Sequence, residues 1–249
     1  MDEYDDLGHL QIEVRDDVAV VTFAPVEDTS LHRSFFNDLH DVLTPLGRDP
    51  AVRAVVFTGG VETFTPHLKP VMSRLLAEAT FSEVAELFTT IQRFASQLLT
   101  FRKPTVAAVS GPALNFGGDV AFLCDAIVAS TTATFGDSHL RSGLTAGDGG
   151  TMFWPLVLGI PRSREILFHG REIIAAEALE LHLVLEVVEP ERTLAAAVAC
   201  AQRLMALPPV SFMATKLALN NAFRFMGTVT WDLAAAYEAA DLYLSARSK

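Results

Sequence analysis

The chain has 249 residues, half of them hydrophobic, with 30 Asp and Glu against 19 Lys and Arg for a formal net charge of −11. That length and apolar content support a sizeable core. The acidic balance repels phosphate backbones and anionic lipid, so the reading excludes nucleic acid and a membrane surface as main partners and leaves small molecules and like subunits. Cys124 and Cys200 stand alone in apolar helical contexts, which argues against a zinc site or a disulfide framework. The opening MDEYDDLGHLQ is acidic and has no apolar targeting core, and no apolar run reaches ~18 residues, so a cytoplasmic protein is expected.

In chain order, Val18 to Phe23 reads as a strand, residues 33–46 as a helix carrying Phe36, Leu39, Leu43 and Leu46 on one face, and Ala54 to Phe57 as a second strand running into Thr58-Gly59-Gly60. A helical period over 80–101 leads to a third strand, Thr105 to Val109. Helical periods at 117–125, 161–168 and 174–181 are interleaved with strands at Ala126 to Ala129 and Leu183 to Val188. Strands alternating with helices predict a mainly parallel α/β sheet. Beyond about residue 190 the composition turns rich in Ala and Leu, with helices expected over 191–205, 208–223 and 228–246. The expected organisation is an α/β core over 1–190 followed by a helical region over 191–249. That region has more apolar surface than a monomer ordinarily exposes, so burial between subunits is expected.

The stretch from Ser110 to Ala126, SGPALNFGGDVAFLCDA, joins a short extended run to an apolar helix through Asn115-Phe-Gly-Gly-Asp119. A helix starting near Gly117 has backbone N–H groups without internal partners, and its dipole makes that end weakly positive. Glycine lets a substrate oxygen approach those groups, and donors held in place stabilise developing negative charge. A plain strand-to-helix turn with glycines for packing explains the same residues.

Further residues narrow the choice. Thr105-Val-Ala-Ala-Val-Ser-Gly-Pro-Ala-Leu114, Cys124-Asp-Ala-Ile-Val-Ala129, Ala133-Thr-Phe-Gly136, Gly147-Asp-Gly-Gly-Thr151 and Ile160 to Leu167 follow the order and spacing of the crotonase (enoyl-CoA hydratase/isomerase) superfamily, and the chain resembles that family over most of its length. The resemblance implies a crotonase-like spiral of ββα turns with a trailing helical region, assembled as a trimer or hexamer, without a tightly bound cofactor or metal, and with coenzyme A entering as part of the substrate. It also implies an enolate held by two backbone N–H groups. One matches Leu68 in Phe64-Thr-Pro-His-Leu68. The other falls on Phe116, where the family normally has glycine, or on Gly117 if the loop shifts by one residue. His67 and Lys103 are the substrate-binding positions that the resemblance offers.

Where hydratases of the family place two glutamates, this chain matches Asp119 and His139. The aspartate is shorter by a methylene, and a neutral imidazole near pH 7 accepts a proton readily. Asp148, in Gly147-Asp-Gly, adds a carboxylate. His139, Asp148 and Trp154-Pro155 resemble the oxocamphor hydrolase branch, in which a His–Asp pair works without coenzyme A in cleaving a bond between two carbonyls. Three functions follow as expectations: an acyl-CoA enzyme with His139, Asp148 and Asp119 as its acid–base groups; a cofactor-independent β-diketone hydrolase; and a catalytically silent scaffold.

Overall fold

The computed structural model describes residues 7–24, 32–66 and 79–247. Leu10–Arg15 (β1) and Val18–Phe23 (β2) form an antiparallel hairpin whose two-residue turn, Asp16-Asp17, has positive φ at both positions. That turn twists with the strands, and Asp tolerates the left-handed region better than bulkier residues. From β2 the sheet continues in parallel through Ala54–Thr58 (β3), Thr105–Val109 (β4), Ala126–Ser130 (β6) and Glu186–Val188 (β9), in the order β1-β2-β3-β4-β6-β9. A smaller sheet joins Ala113–Leu114 (β5), Thr134–Gly136 (β7) and Ile173–Ile174 (β8).

The parallel strands are buried on both faces, which is why they read as continuous β-branched runs. On one face Val55, Phe57, Ala107, Val109 and Ile127 meet the helices His32–Arg48 (α1), Phe81–Leu99 (α2) and Phe116–Leu123 (α3). On the other, Ala54, Val56, Val106, Ala108 and Val128 meet Ala197, Cys200 and Ala201 of Thr193–Met205 (α6). Gly150–His169 (α4) bends at Gly159, whose φ of 75° interrupts the helix just before Pro161. Ala175–Glu180 (α5) is short. Both cysteines are free.

Pro209–Ser245 (α7) is one helix of 37 residues, where the sequence predicts two. Gly227 sits in its interior because the helix is clamped there: a Cβ would fall 3.2 Å from Met152 Sδ. Tertiary packing therefore overrides the ~1 kcal/mol propensity cost of glycine. The inner face of α7 places Trp231, Ala235, Ala239 and Leu242 in the same core as α1 and α2. Its outer face carries Phe225, Val229, Leu233 and Tyr237, 61–71% exposed, at four-residue spacing. Among the described residues no single helix is long and apolar enough to cross a membrane.

Candidate active site

The start of α3 is built by Asn115, which adopts φ 53° and ψ −128°. Its side-chain oxygen does not cap the helix; it accepts the Ser138 N–H at 2.7 Å. The Asn115 N–H in turn donates to the Gly136 carbonyl at 3.0 Å. The N–H groups of Phe116, Gly117 and Gly118 find no acceptor among the described residues, while the Asp119 N–H makes the first helical bond, to Asn115. Such a helix start favours an anion. Thr65 lies over it: a Cβ at Gly117 would fall 2.7 Å from Thr65 Oγ1. The Thr65 loop is held against the segment preceding β5 by Phe64 N–H to Pro112 O at 2.9 Å and by Thr63 Oγ1 to Pro112 O at 3.4 Å, and Thr63 Oγ1 also donates to Thr65 O at 2.7 Å within the loop.

Next to this helix start is a buried cluster of one imidazole and four carboxyls. His139, two residues beyond Asp137 in the loop after β7, approaches Asp137 Oδ1 with Nδ1 at 2.9 Å. Its Nε2 lies 3.4 Å from Asp148 Oδ2 and 3.3 Å from Glu238 Oε1. Asp119 lies beside Asp148, close enough for each carboxyl to shift the other's proton affinity. Gly149 makes room for that contact, because a Cβ there would fall 2.8 Å from Asp119 Oδ2 and 2.5 Å from Phe153. The loop carrying Asp148 is held by α7: Gly147 N–H donates to Glu238 Oε2 at 2.7 Å, Trp231 Nε1 donates to Gly147 O at 2.9 Å, and Asp241 accepts from the Thr145 N–H and hydroxyl.

Burial governs the electrostatics. Asp119 is held far above the usual carboxyl range by desolvation, with Asp148 and Asp137 pushing the same way against the opposing pull of His139. Asp148 is raised to about 7, again mainly by desolvation and further by Glu238 and Asp137, while His139 and the neighbouring Asp119 carboxyl pull it down. Of the two carboxyls, Asp119 is the one whose protonated form burial and the neighbouring charges favour most strongly. Desolvation alone would lower His139, but Asp148, Asp137 and Glu238 together hold its ring well above the ordinary imidazole range. One oxygen each of Asp119, Asp137 and Asp148 is buried without a hydrogen-bond partner. A buried, low-dielectric cluster with an acid beside a base, next to unfilled N–H donors, has the groups needed to move a proton and to stabilise an oxyanion.

Comparison with known proteins agrees with this architecture. The family model for enoyl-CoA hydratase/isomerase matches residues 13–236. The chain belongs to that family. It is 30% identical over 228 residues to the short-chain-enoyl-CoA hydratase of Clostridium acetobutylicum, covering 88% of this chain and 84% of that protein. An enoyl-CoA hydratase/isomerase from Mycobacterium paratuberculosis superposes with a TM-score of 0.83 at 26% identity, covering 94% of each chain. A β-diketone hydrolase from the cyanobacterium Anabaena shares the fold, with a TM-score of 0.81 at 24% identity and 95% of each chain covered.

Within this chain the sequence-predicted residues are distributed unevenly. Asp119, His139 and Asp148 come together in one buried cluster, and Phe116 and Gly117 open the adjoining helix. The Phe116 ring turns into the core, with centroids 4.9 Å from Phe36, 6.2 Å from Phe94 and 6.4 Å from Phe35. It is a packing residue whose backbone alone is available to a ligand. Leu68 and His67 lie outside the described residues. Lys103 is committed to the end of α1, where its ammonium donates to Leu46 O at 2.6 Å and Asp49 O at 2.8 Å; desolvation lowers its pKa against the pull of Asp49. It stands as a helix-terminus cation rather than a free phosphate binder. Asp137, His139 and Asp148 present potential ligand atoms within 4.8 Å of one another. His139 and Asp137 meet there as hydrogen-bond partners through Nδ1 and Oδ1.

Three site residues escaped the sequence reading. Asp137 had a local signal, a carboxylate two residues before the histidine. Asn115 had one too, a turn former directly before Phe-Gly-Gly. Glu238 is 99 residues from His139 on an alanine-rich helix, and no local pattern distinguishes it from a solvated charge.

Proposed function

We propose that this chain is an enzyme acting on an acyl-CoA-like thioester through an enolate, with the oxyanion resting on the amides that open α3 and the proton passing through the Asp119–Asp148 pair. The observation that carries the reading is the adjacency of unaccepted N–H groups to a buried carboxyl pair of split proton affinity. For hydration of a conjugated thioester, Asp148 takes a proton from water as its oxygen bonds to the β-carbon, and the electron pair of the double bond moves onto the thioester oxygen. Asp119 then returns a proton to the α-carbon as the carbonyl reforms, and the proton on Asp148 restores the pair. The relatives named as enoyl-CoA hydratases support the substrate class.

The contact between His139 and Asp148 favours a second reading, water attack on a β-diketone with His139 as base. That chemistry needs a ring nitrogen free of carboxylates at the moment of attack. Incubating the protein with crotonyl-CoA, longer 2-enoyl-CoAs and a cyclic 1,3-diketone separates the two. Loss of the conjugated thioester absorbance is expected. Diketone cleavage without coenzyme A, and no turnover of any enoyl thioester, would replace this reading with the second.

The exposed stripe Phe225, Val229, Leu233 and Tyr237 on α7 supports a second copy of the chain as its cover, in a trimer or hexamer. A solution mass that stays monomeric as concentration rises would reject that assembly.

A further inference from the structure

We infer that Asp137 is a positioning residue which, together with Asp148 and Glu238, clamps His139 by both ring nitrogens, so that the imidazole serves the site as a fixed cation and not as its base. The assignment rests on the reading above only in leaving the moving proton to Asp119 and Asp148.

The geometry supplies the argument. Asp137 Oδ1 accepts twice from the same residue, from the His139 N–H at 3.0 Å and from its Nδ1 at 2.9 Å, so the ring orientation is set within a three-residue loop. The other Asp137 oxygen is seated against Gly150, where any Cβ would collide with it, so the carboxylate has its place only because that position is glycine. At the far side of the ring, Nε2 faces Asp148 Oδ2 and Glu238 Oε1 together. A lone pair on Nε2 would point at two oxygens, whereas an N–H there is shared between two acceptors.

The groups facing the ring come from separate elements: Asp137 after β7, Asp148 before α4 and Glu238 on α7, with Asp119 on α3 behind Asp148. Four acids without a cation would place several unpaired charges in a dry cluster, where burial makes each of them costly. A protonated ring offsets part of that charge. It also holds Asp148 lower than burial alone would leave it, which keeps that carboxylate available to take a proton.

The test is a pH titration of the resting protein labelled with ¹⁵N-histidine, with the His139 signals assigned by their loss in His139→Gln. Through the range in which free imidazole in the same tube loses its proton, both ring nitrogens of His139 should keep the protonated signature. In Asp137→Asn the ring should lose its proton inside that window, and turnover should fall by roughly tenfold or more, with the alkaline limb of the pH profile moved to lower pH. Asp137→Glu should restore part of both. A neutral His139 ring in the wild type at neutral pH, accepting a proton from Asp148 or Glu238, overturns the inference, as does an unchanged titration in Asp137→Asn. Should Asp137→Asn not fold, the wild-type spectrum decides alone. The spectrum needs no substrate, so failure of the enoyl-CoA assay and failure of this inference are separate results.

Discussion

Two buried cations in this protein sit among carboxylates, and their surroundings differ in balance. Lys216, on α7, donates to Asp125 at 2.7 Å, to Lys103 O at 2.9 Å and to Thr105 Oγ1 at 3.3 Å. Asp125 also accepts from the Thr105 N–H and hydroxyl, so one positive and one negative charge meet at the foot of β4 with neutral donors and acceptors around them. His139 faces three carboxylates directly with a fourth behind, and three carboxyl oxygens of that cluster have no partner. The balanced pair ties the C-terminal helix to the sheet. The unbalanced cluster has proton affinities pulled far from their ordinary values, a pattern that accords with the proposed proton transfer.

Breaking the balanced pair should cost stability and little chemistry. Lys216→Met leaves Asp125 buried without its cation and should destabilise by about 3–5 kcal/mol, seen as a lower midpoint in urea, with kcat of the remaining folded protein close to wild type. Asp148→Asn should show the reverse, with turnover down by roughly 100-fold or more and no fall in the thermal midpoint at pH 8. A loss of midpoint comparable to that of Lys216→Met would remove the contrast between the regions. Gly117→Val places methyl groups against Thr65 and should lower turnover by roughly tenfold with a smaller loss of stability, measured by kcat and by the urea midpoint.

The smallest effect concerns pH, and its sign is set by the direction of the shifts. Asp119, Asp148 and His139 all have folded-state pKa values raised above their unfolded ones. The folded protein therefore holds more protons, and the stability contributed by the cluster falls as pH rises. For Asp148 the loss begins near the unfolded carboxyl value of about 4 and grows through about 7. Above about 7 both states are ionised and the loss levels off. The thermal midpoint of Asp148→Asn should gain on wild type between about pH 5 and about pH 8. A constant difference across that range would contradict the raised value.

Most of the parallel sheet was legible because its strands are short β-branched runs buried on both faces, as at Thr105–Val109, where the expected and observed bounds coincide. The hairpin strand β1 was missed although Leu10-Gln-Ile-Glu-Val-Arg15 alternates, since its turn is Asp-Asp and lacks the usual glycine. The start of α4 near residue 150 was missed as well, because Pro155, Gly159 and Pro161 break the helical pattern that Met152, Phe153 and Trp154 carry into the core. In the buried cluster, Asp119, His139 and Asp148 are the members that the family resemblance singles out in the sequence. What pairs with them was not legible: Glu238 arrives from the far end of the chain, and whether Lys103 is free or committed depends on where α1 ends.

The most direct measurement of the central claim, that Asp119 and Asp148 move one proton as a unit, is a double-mutant cycle on kcat for an enoyl-CoA with Asp119→Asn, Asp148→Asn and the pair. If the carboxyls act together, the double variant should lose little more than the worse single variant, because either change already breaks the shared step. Two losses that multiply, or a single variant with unchanged turnover, would show that the carboxyls act apart.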